Sequence, residues 1–280
     1  MPDFFVNLFG FFPGLISEYM MKIVCLVKEV PDTEAKITVA NEKIQESGIK
    51  FIPNPYDEYG VEEALKIKDS GGEHEVIILT FGTERARKVM ETAMAMGADQ
   101  GFLVADNSQP DCDAHATAKI LSAALNKIGF DLIFCGKQAI DDDASQVGVR
   151  VAEMLSLGHA SVVNKFELSD GKARVERQIQ GGQEVIEMPL PCVVTCQKGL
   201  NDPRYASLKN IMAVKKKPRT VWSLEDIGLG ADDAGVNGSF TKVTKFEAPP
   251  EKAPGRVIEG EPDDAVKELV RSLREDSKII

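Results

Sequence analysis

Residues 132–148 read LIFCGKQAIDDDASQVG: an apolar run leads through a glycine and three aspartates into a helical pattern. The run at residues 132–135 shows no alternation of polar and apolar residues, which is typical of a strand buried on both faces of a parallel sheet. Beyond it, Val147, Val151 and Met154 recur at helical spacing. The stretch therefore predicts a buried strand that feeds a helix through a polar loop.

The flanking sequence repeats this alternation of β-rich runs and helical patterns. Strands are predicted over residues 22–27, 76–80, 102–104 and 192–196, and helices over residues 57–69, 84–96 and the stretch containing Leu121, Ala124, Leu125 and Ile128. Two glycine-containing pairs, Asp170-Gly171 and Gly181-Gly182, predict hairpin turns. We expect an α/β fold over residues 21–220, with a mostly parallel sheet, flanking helices and a hairpin region.

The C-terminal region has a different character. Residues 221–263 are rich in glycine, proline and aspartate and show little periodicity. Helical spacing then returns at Val266, Leu269, Val270 and Leu273. Because a segment this long without its own core usually wraps a partner, we expect a C-terminal arm and helix over residues 221–280.

The first twenty residues contain a cluster of phenylalanines and leucines. They have no basic start and no small-residue cleavage site, so they do not resemble a signal peptide. Met20 and Met21 stand immediately before the first predicted strand. We expect residues 1–20 to be a non-native or disordered extension, with a membrane-surface anchor as the alternative.

Composition excludes several classes of function. The 44 acidic and 33 basic residues give a formal net charge of -11, which repels nucleic acid. No window has the eighteen or so uncharged apolar residues of a membrane span, so we expect no membrane insertion. Cys192 and Cys196 share one face of a strand, and the three histidines follow no metal-binding spacing. We predict a reduced, cytoplasmic protein without a metal site.

The ligand loops can be located from the fold class. In open parallel sheets, ligands bind beyond the carboxyl ends of the strands, which here means the loops at residues 28–33, 81–83 and 136–143. Neither G-x-G-x-x-G nor G-x-x-x-x-G-K-[ST] is present, and the first loop lacks the Ser-Gly-Gly character of adenylating pyrophosphatases. An enzyme that cleaves ATP is therefore disfavoured.

The aspartate run has two interpretations. Asp143 and Gln146 have the spacing of a capping box, in which the acidic residues only stabilise the helix start. Alternatively, the exposed N–H groups of that helix start bind a phosphate while one aspartate accepts a hydrogen bond from a ribose hydroxyl. The pattern alone leaves both open.

The segment G-K-Q-A-I-D-D-D-x-x-Q-x-G at residues 136–148 resembles the signature of electron-transfer flavoprotein β subunits. Asn-Pro-Tyr-Asp at residues 54–57 and Ala-Met-Gly-Ala-Asp at residues 95–99 are similar to two turns of that family. Residues 204–208, Arg-Tyr-Ala-Ser-Leu, are similar to its partner-recognition loop. The resemblance covers residues 21–280.

The resemblance implies a subunit that has no catalytic residues of its own. It would pair with an α subunit that holds a redox-active FAD, and the arm would pack on that subunit. The pair would carry electrons from flavin dehydrogenases, such as the acyl-CoA dehydrogenases of fatty acid β-oxidation, to a membrane-bound quinone oxidoreductase. The flavin chemistry would belong to the cofactor.

The resemblance also implies two sets of functional residues. The nucleotide-binding residues would be Leu26, Lys28, Asn54, Pro55, Tyr56, Asp57, Phe81, Asp141, Asp142, Asp143, Ala144, Ser145, Gln146, Val147, Gly148, Val149, Arg150, Val151 and Ala152. The partner-docking residues would be Arg204, Tyr205, Leu208, Ile211 and Met212.

The family resemblance leaves two candidate nucleotides. Non-bifurcating members carry D-D-D-x-x-[QA]-T-G and hold AMP, whereas the electron-bifurcating branch shows D-G-D-T-A-Q-V-G, holds a second FAD and takes electrons from NADH. This chain has Asp142 in place of that glycine but keeps Val147-Gly148. Since the Asp142 carboxylate adds bulk and negative charge beside the helix start, we expect AMP, with a second FAD as the alternative.

A different class of protein also shares this fold plan. A free-standing adenine-nucleotide-binding module of the universal-stress type would end soon after its last strand. The hairpins, arm and terminal helix of this chain argue against that class.

Overall fold

The computed structural model describes residues 20–107, 112–250 and 254–280, so the predicted N-terminal extension lies outside the described residues except for Met20. The strands, in chain order, are β1 (Lys22–Leu26), β2 (Glu29–Pro31), β3 (Val39–Ala40), β4 (Lys43–Ile44), β5 (Phe51–Pro53), β6 (Glu75–Gly82), β7 (Gln100–Ala105), β8 (Leu132–Gly136), β9 (Gly158–Ser169), β10 (Lys172–Ile179), β11 (Gly182–Pro189), β12 (Cys192–Cys196) and β13 (Arg219–Trp222). The α-helices are α1 (Pro55–Asp69), α2 (Arg87–Met96), α3 (Ala114–Ile128), α4 (Val147–Met154), α5 (Leu208–Val214), α6 (Gly235–Gly238) and α7 (Pro262–Arg271).

One nine-stranded sheet organises most of these elements. Its strand order is β11-β10-β9-β12-β8-β1-β6-β7-β13. All neighbours from β9 to β13 in that order pair in parallel, whereas β10 is antiparallel to both β9 and β11. The hairpins therefore extend the same sheet, and the predicted α/β class with a mostly parallel sheet is confirmed.

Helices cover both faces of the sheet and define two apolar cores. On one face, Leu65 of α1 and Met90 of α2 share a core with Ile23 and Cys25 of β1. On the other face, residues of α3 and α4 share a second core with the intervening residues of β1, such as Val24. Because successive strand residues point to opposite faces, both faces of β1 must be apolar, which explains why the parallel strands read as continuous apolar runs.

The strand order places a crevice at the middle of the sheet. From β1 the sheet grows through β6 and β7 in one direction and through β8 and β12 in the other. The loops that follow β1 and β8 thus leave the sheet at a topological switch point, where open α/β sheets bind their ligands.

The chain after β12 is more ordered than the sequence predicts. Strand β13 pairs with β7, and the ring of Trp222 lies 4.6 Å from that of Phe102. Ile227 and Ala234 are buried in the core on the α3 face. The predicted boundary at residue 221 therefore differs from the structure, in which the larger compact unit continues to Thr244. A four-residue strand followed by single helical turns has too little periodicity to be recognised in sequence.

The smaller compact unit comprises Thr38–Gln45 and Lys245–Ile280. It contains the β3–β4 hairpin and α7, which carries the predicted apolar spacing. Val266, Leu269 and Val270 of this helix are exposed. Within the described residues, no helix is both long and apolar enough to cross a membrane.

Gly148 sets the distance between α4 and the sheet. A Cβ atom at this position would lie 2.5 Å from Cys135 Sγ and 3.0 Å from Thr195 Cγ2. We expect Gly148→Ala to lower the free energy of unfolding by about 1–3 kcal/mol, the cost of overpacking a core. Gly182→Ala, whose added Cβ meets no atom within 4 Å, is the matched control, with an expected change within about 0.5 kcal/mol. Urea denaturation followed by circular dichroism compares the two, and equal effects would contradict this account.

Candidate functional site

A cavity of about 420 Å³ lies at the carboxyl ends of β1, β6 and β8. Lys28 follows β1, Phe81 lies in the last part of β6, and Gly136 ends β8. Apolar walls come from Leu26 of β1 and Leu121 of α3. The cavity therefore occupies the place that the strand order predicts for a ligand.

A buried carboxylate, Asp57 at the start of α1, joins two of these loops. Its Oδ2 accepts a hydrogen bond from the Lys28 backbone N–H at 2.8 Å, and its Oδ1 accepts one from the Gly136 N–H at 2.8 Å. Burial raises the pKa of Asp57 to about 6, against the lowering effect of these hydrogen bonds. A Cβ at Gly136 would lie 2.5 Å from Oδ1, so only glycine allows this approach.

Asn54, the buried residue before α1, fixes the loop after β8. Its Nδ2 donates to the Gln138 carbonyl at 2.9 Å, and its Oδ1 accepts from the Ile140 N–H at 3.2 Å. Its own N–H donates to the Lys28 carbonyl at 2.9 Å. Asn54 and Asp57 therefore shape the cavity by holding its loops together.

The aspartate run does not cap α4. The helix begins at Val147, with Gln146 at the N-cap position and no side-chain hydrogen bond to the helix start. Asp143 and Ser145 have left-handed backbones, with φ of 49° and 55°, which delay the helix. The Asp143 side chain accepts instead from Gln138. The capping-box interpretation is therefore wrong.

The start of α4 presents backbone N–H groups to the cavity. The first helical hydrogen bond runs from the Arg150 N–H to the Gln146 carbonyl, so the N–H groups of residues 147–149 precede it. Gln146, Val147 and Gly148 line the cavity. Because the helix dipole adds partial positive charge there, this end of the cavity favours an anion such as phosphate.

Two cations at the cavity are each paired with two carboxylates of this chain. Lys28 Nζ lies 2.8 Å from Asp141 Oδ1 and 3.1 Å from Asp142 Oδ2. Burial lowers the pKa of Lys28, but these acidic partners outweigh it and the net pKa is raised. On the opposite side, Arg85 pairs with Glu29 and Glu46 at 2.9 and 2.6 Å.

Lys137 is the third cation of the cavity wall. Its Nζ lies 5.1 Å from the centroid of the Tyr56 ring. In the part of the chain that the structure describes, no carboxylate forms an ion pair with it. The cavity thus combines one helix start with one uncommitted lysine, a set of charges that suits one phosphate group.

The structure gathers part of the predicted nucleotide set around the cavity. The predicted residues that line it are Leu26, Lys28, Asn54, Asp57, Phe81, Asp142, Ala144, Ser145, Gln146, Val147 and Gly148. Those outside its lining are Pro55, Tyr56, Asp141, Asp143, Val149, Arg150, Val151 and Ala152. Val151 and Ala152 are fully buried in the core between α4 and the sheet.

Several lining residues lie outside the set of binding residues that the family resemblance implies. Thr83, Lys137 and Gln138 belong to the ligand loops at residues 81–83 and 136–143 that the fold class predicts. Sequence reasoning missed Arg85, Cys112, Ala114 and Thr117, which lie outside all three predicted loops. The start of α3 has no distinctive pattern, so only the folded chain reveals its part in the wall.

The predicted docking residues lie on one surface segment. Tyr205, Leu208 and Met212 are 98%, 82% and 74% exposed, and Ile211 is half exposed. Leu208 begins α5, where the Ser207 hydroxyl accepts from the Asn210 N–H at 3.2 Å. Arg204 differs from the others, because its guanidinium is bound to carboxylates of this chain.

Comparison with known proteins identifies the family. Residues 42–227 match the model described as "Electron transfer flavoprotein domain". The chain is 39% identical to the electron transfer flavoprotein subunit beta of Bacillus subtilis over 93% of this chain and 100% of that protein. The chain belongs to the electron transfer flavoprotein β-subunit family. The predicted resemblance is thereby confirmed.

Two other relatives of this β-subunit chain have more specific names. It is 40% identical to "Caffeyl-CoA reductase-Etf complex subunit CarD" of Acetobacterium woodii, over 91% of this chain and 98% of that protein. It is 36% identical to "Acryloyl-CoA reductase electron transfer subunit gamma" of Anaerotignum propionicum, over 90% of this chain and 98% of that protein.

Asp57 should govern part of the pH dependence of stability in this β subunit. Its pKa is raised from 3.8 to about 6, so the folded chain binds the proton more tightly than the unfolded chain. Its contribution to the free energy of unfolding is therefore fully present below about pH 4 and lost as pH rises through about 6. We expect Asp57→Asn to remove this loss. Urea unfolding across that pH range measures it, and identical pH dependence in both proteins would contradict the assignment.

Proposed function

We propose that this chain is the β subunit of a heterodimeric electron transfer flavoprotein and holds AMP in the cavity between β1, β6 and β8. The observation that supports this function best is the pairing of an uncapped helix start with one uncommitted lysine, Lys137. In the complex, a partner α subunit carries the redox-active FAD. This chain contributes the nucleotide cavity and a docking surface.

The cavity dimensions favour a mononucleotide. Its volume of about 420 Å³ is near the lower end of the range of about 300–1,000 Å³ for small-molecule sites. The apolar side chains of Leu26, Phe81 and Leu121 offer a surface for a base, and the start of α4 offers N–H groups for a phosphate. A second phosphate would meet Lys28 and Arg85 with their charges already balanced by carboxylates.

The chemistry of the complex belongs to its flavin, which takes up and releases electrons when bound. The residues of this chain hold and orient the nucleotide. Asp57 and Asn54 fix the loops, and Lys137 with the α4 start provides positive charge for the phosphate. The chain is accordingly an electron-carrier subunit.

We place the donor among flavin dehydrogenases that act on acyl-CoA substrates, and the acceptor at a membrane-bound quinone oxidoreductase. Two relatives carry the names of caffeyl-CoA and acryloyl-CoA reductase complexes, which supports a redox partner that acts on CoA thioesters. Because a reductase takes up electrons, these names support the substrate class of the partner and not its place as electron donor. The exposed side chains of Tyr205, Leu208 and Met212 would form the contact. This route places the protein in the cytoplasm, beside fatty acid β-oxidation.

A second FAD in the same cavity is the alternative. The lining continues beyond the α4 start to Thr83 and Arg85, which leaves a path for a longer ligand. A diphosphate could recruit Arg85 if the guanidinium exchanged Glu29 or Glu46 for phosphate oxygens. The complex would then be electron-bifurcating, with NADH as donor. A free-standing nucleotide-binding module is disfavoured, since the relatives matched over their full length are subunits.

Lys137→Gln tests the phosphate site. Removal of the cation should weaken AMP binding about 10- to 100-fold, the loss expected for one charge-assisted hydrogen bond. Lys198→Gln, at an exposed lysine outside the cavity, is the matched control and should bind AMP as the wild type does. Isothermal titration of nucleotide-depleted complex measures both. Equal affinity of the Lys137 and Lys198 variants would contradict the phosphate site.

Leu208→Ala tests the docking surface. An exposed apolar side chain that fills a partner pocket acts as a hot spot, so we expect the rate of reduction by the dehydrogenase to fall about tenfold or more. Ile179→Ala removes an exposed apolar side chain of β10 and is the control. Stopped-flow reduction of the αβ complex at limiting dehydrogenase concentration gives the rate, with FAD content unchanged. An unaltered rate of reduction would contradict a docking role for Leu208.

A further inference from the structure

Helix α1 carries two consecutive carboxylates, Glu62 and Glu63, that are only 6% and 4% exposed. Burial of an ionised carboxylate is costly unless other groups pair with it. Both side chains contact the chain at residues 201–204, immediately before the exposed docking residues. The two buried carboxylates therefore hold that segment against α1.

Glu62 binds Arg204 through three hydrogen bonds. The Arg204 N–H and Nε donate to Oε2 at 3.0 and 2.8 Å, and a terminal guanidinium nitrogen donates to Oε1 at 3.0 Å. The hydrogen bond to Glu62 is the main cause of a raised pKa at Arg204. Because Glu62 accepts hydrogen bonds from both the guanidinium and the backbone N–H of Arg204, it fixes the side chain and the main chain of that residue together. Arg204 also reaches the exposed Asp69 at 2.8 Å.

Glu63 holds the residue at the beginning of this short stretch. Its Oε2 accepts from Asn201 Nδ2 at 2.8 Å, and the same nitrogen donates to the Tyr59 carbonyl at 3.0 Å. Lys66 Nζ, at 3.0 Å from Oε2, balances the charge. The two adjacent carboxylates thus tie both ends of residues 201–204 to α1.

The other end of the docking segment is also fixed. Val214 at the end of α5 is buried, and Lys217 Nζ donates to the Ala98 carbonyl at 2.5 Å, just beyond α2. Tyr205 and Leu208 stand exposed between these two anchored ends. Such a segment has already lost conformational freedom before a partner binds, so less entropy is lost on docking.

We propose that Glu62 and Glu63 are positioning residues for partner docking: they hold residues 201–204 so that the apolar side chains that follow are ordered for an apolar pocket on the redox partner. The proposal rests on the docking role given to this surface above. It assigns to α1 a function beyond its contribution to the core.

Glu62→Gln in the αβ complex tests the proposal with two readouts. Without dehydrogenase, amide hydrogen exchange over residues 200–212 should rise about tenfold, because the neutral amide holds Arg204 less tightly. With dehydrogenase, the KM for the complex as electron acceptor should rise about tenfold while kcat stays unchanged. Contents of FAD and AMP should not change, which separates loss of positioning from misfolding.

Two further variants sharpen the test. Asp69→Asn removes the partner of Arg204 whose side chain is 58% exposed, and should change both readouts less than about twofold. Arg204→Lys keeps the positive charge but loses the forked guanidinium contact with Glu62, and it should also raise KM. This variant replaces Glu62→Gln if Glu62→Gln is too unstable to purify.

The outcomes distinguish this proposal from the docking role itself. Unchanged exchange in Glu62→Gln overturns the positioning role. A raised KM in Leu208→Ala with an unchanged KM in Glu62→Gln also overturns it, while the docking surface stands. Unchanged KM in both variants overturns the docking surface and the positioning proposal together.

Discussion

The cavity depends on one buried carboxylate. Asp57 accepts hydrogen bonds from the backbone N–H groups that follow β1 and end β8, at 2.8 Å each. These strands are neighbours at the switch point, so their N–H groups would be unpaired and costly there without an acceptor. Gly136 is glycine because a Cβ would collide with that carboxylate. The shape of the crevice therefore follows from satisfying two backbone donors.

Helix α1 connects this constraint to the surface. Its first turn carries Asp57, and its next turns carry Glu62 and Glu63, which bind Asn201 and Arg204 just before the proposed docking residues. A hydrogen bond to a charged group contributes about 1.5–3 kcal/mol when it is shielded from water, and the 36% exposure of the Arg204 side chain reduces that contribution. The three hydrogen bonds that Glu62 accepts from Arg204 act together to define the position of the loop. The same helix thus organises the cavity proposed for a nucleotide at its start and the surface proposed for docking along its length.

Sequence patterns predict the sheet well, because strands buried on both faces must be apolar throughout, as residues 132–135 are. They do not predict what Asp57 does, since its partners are 29 and 79 residues away. The capping-box interpretation was wrong because Asp143 and Ser145 have left-handed backbones, so the helix begins only after them. The spacing of residues in the sequence does not reveal these backbone conformations. Likewise, the charges of Lys28 and Arg85 look available for phosphate until the folded chain shows their carboxylate partners.

The nucleotide proposed for the cavity carries a single phosphate and is distinct from the flavin of the α subunit. Denaturing the purified αβ complex and separating the released nucleotides by chromatography identifies it. The charges around Lys137 and the α4 start predict one FAD and one AMP per heterodimer. Two FAD per heterodimer, or one FAD with no second nucleotide, would contradict the assignment of AMP to the cavity.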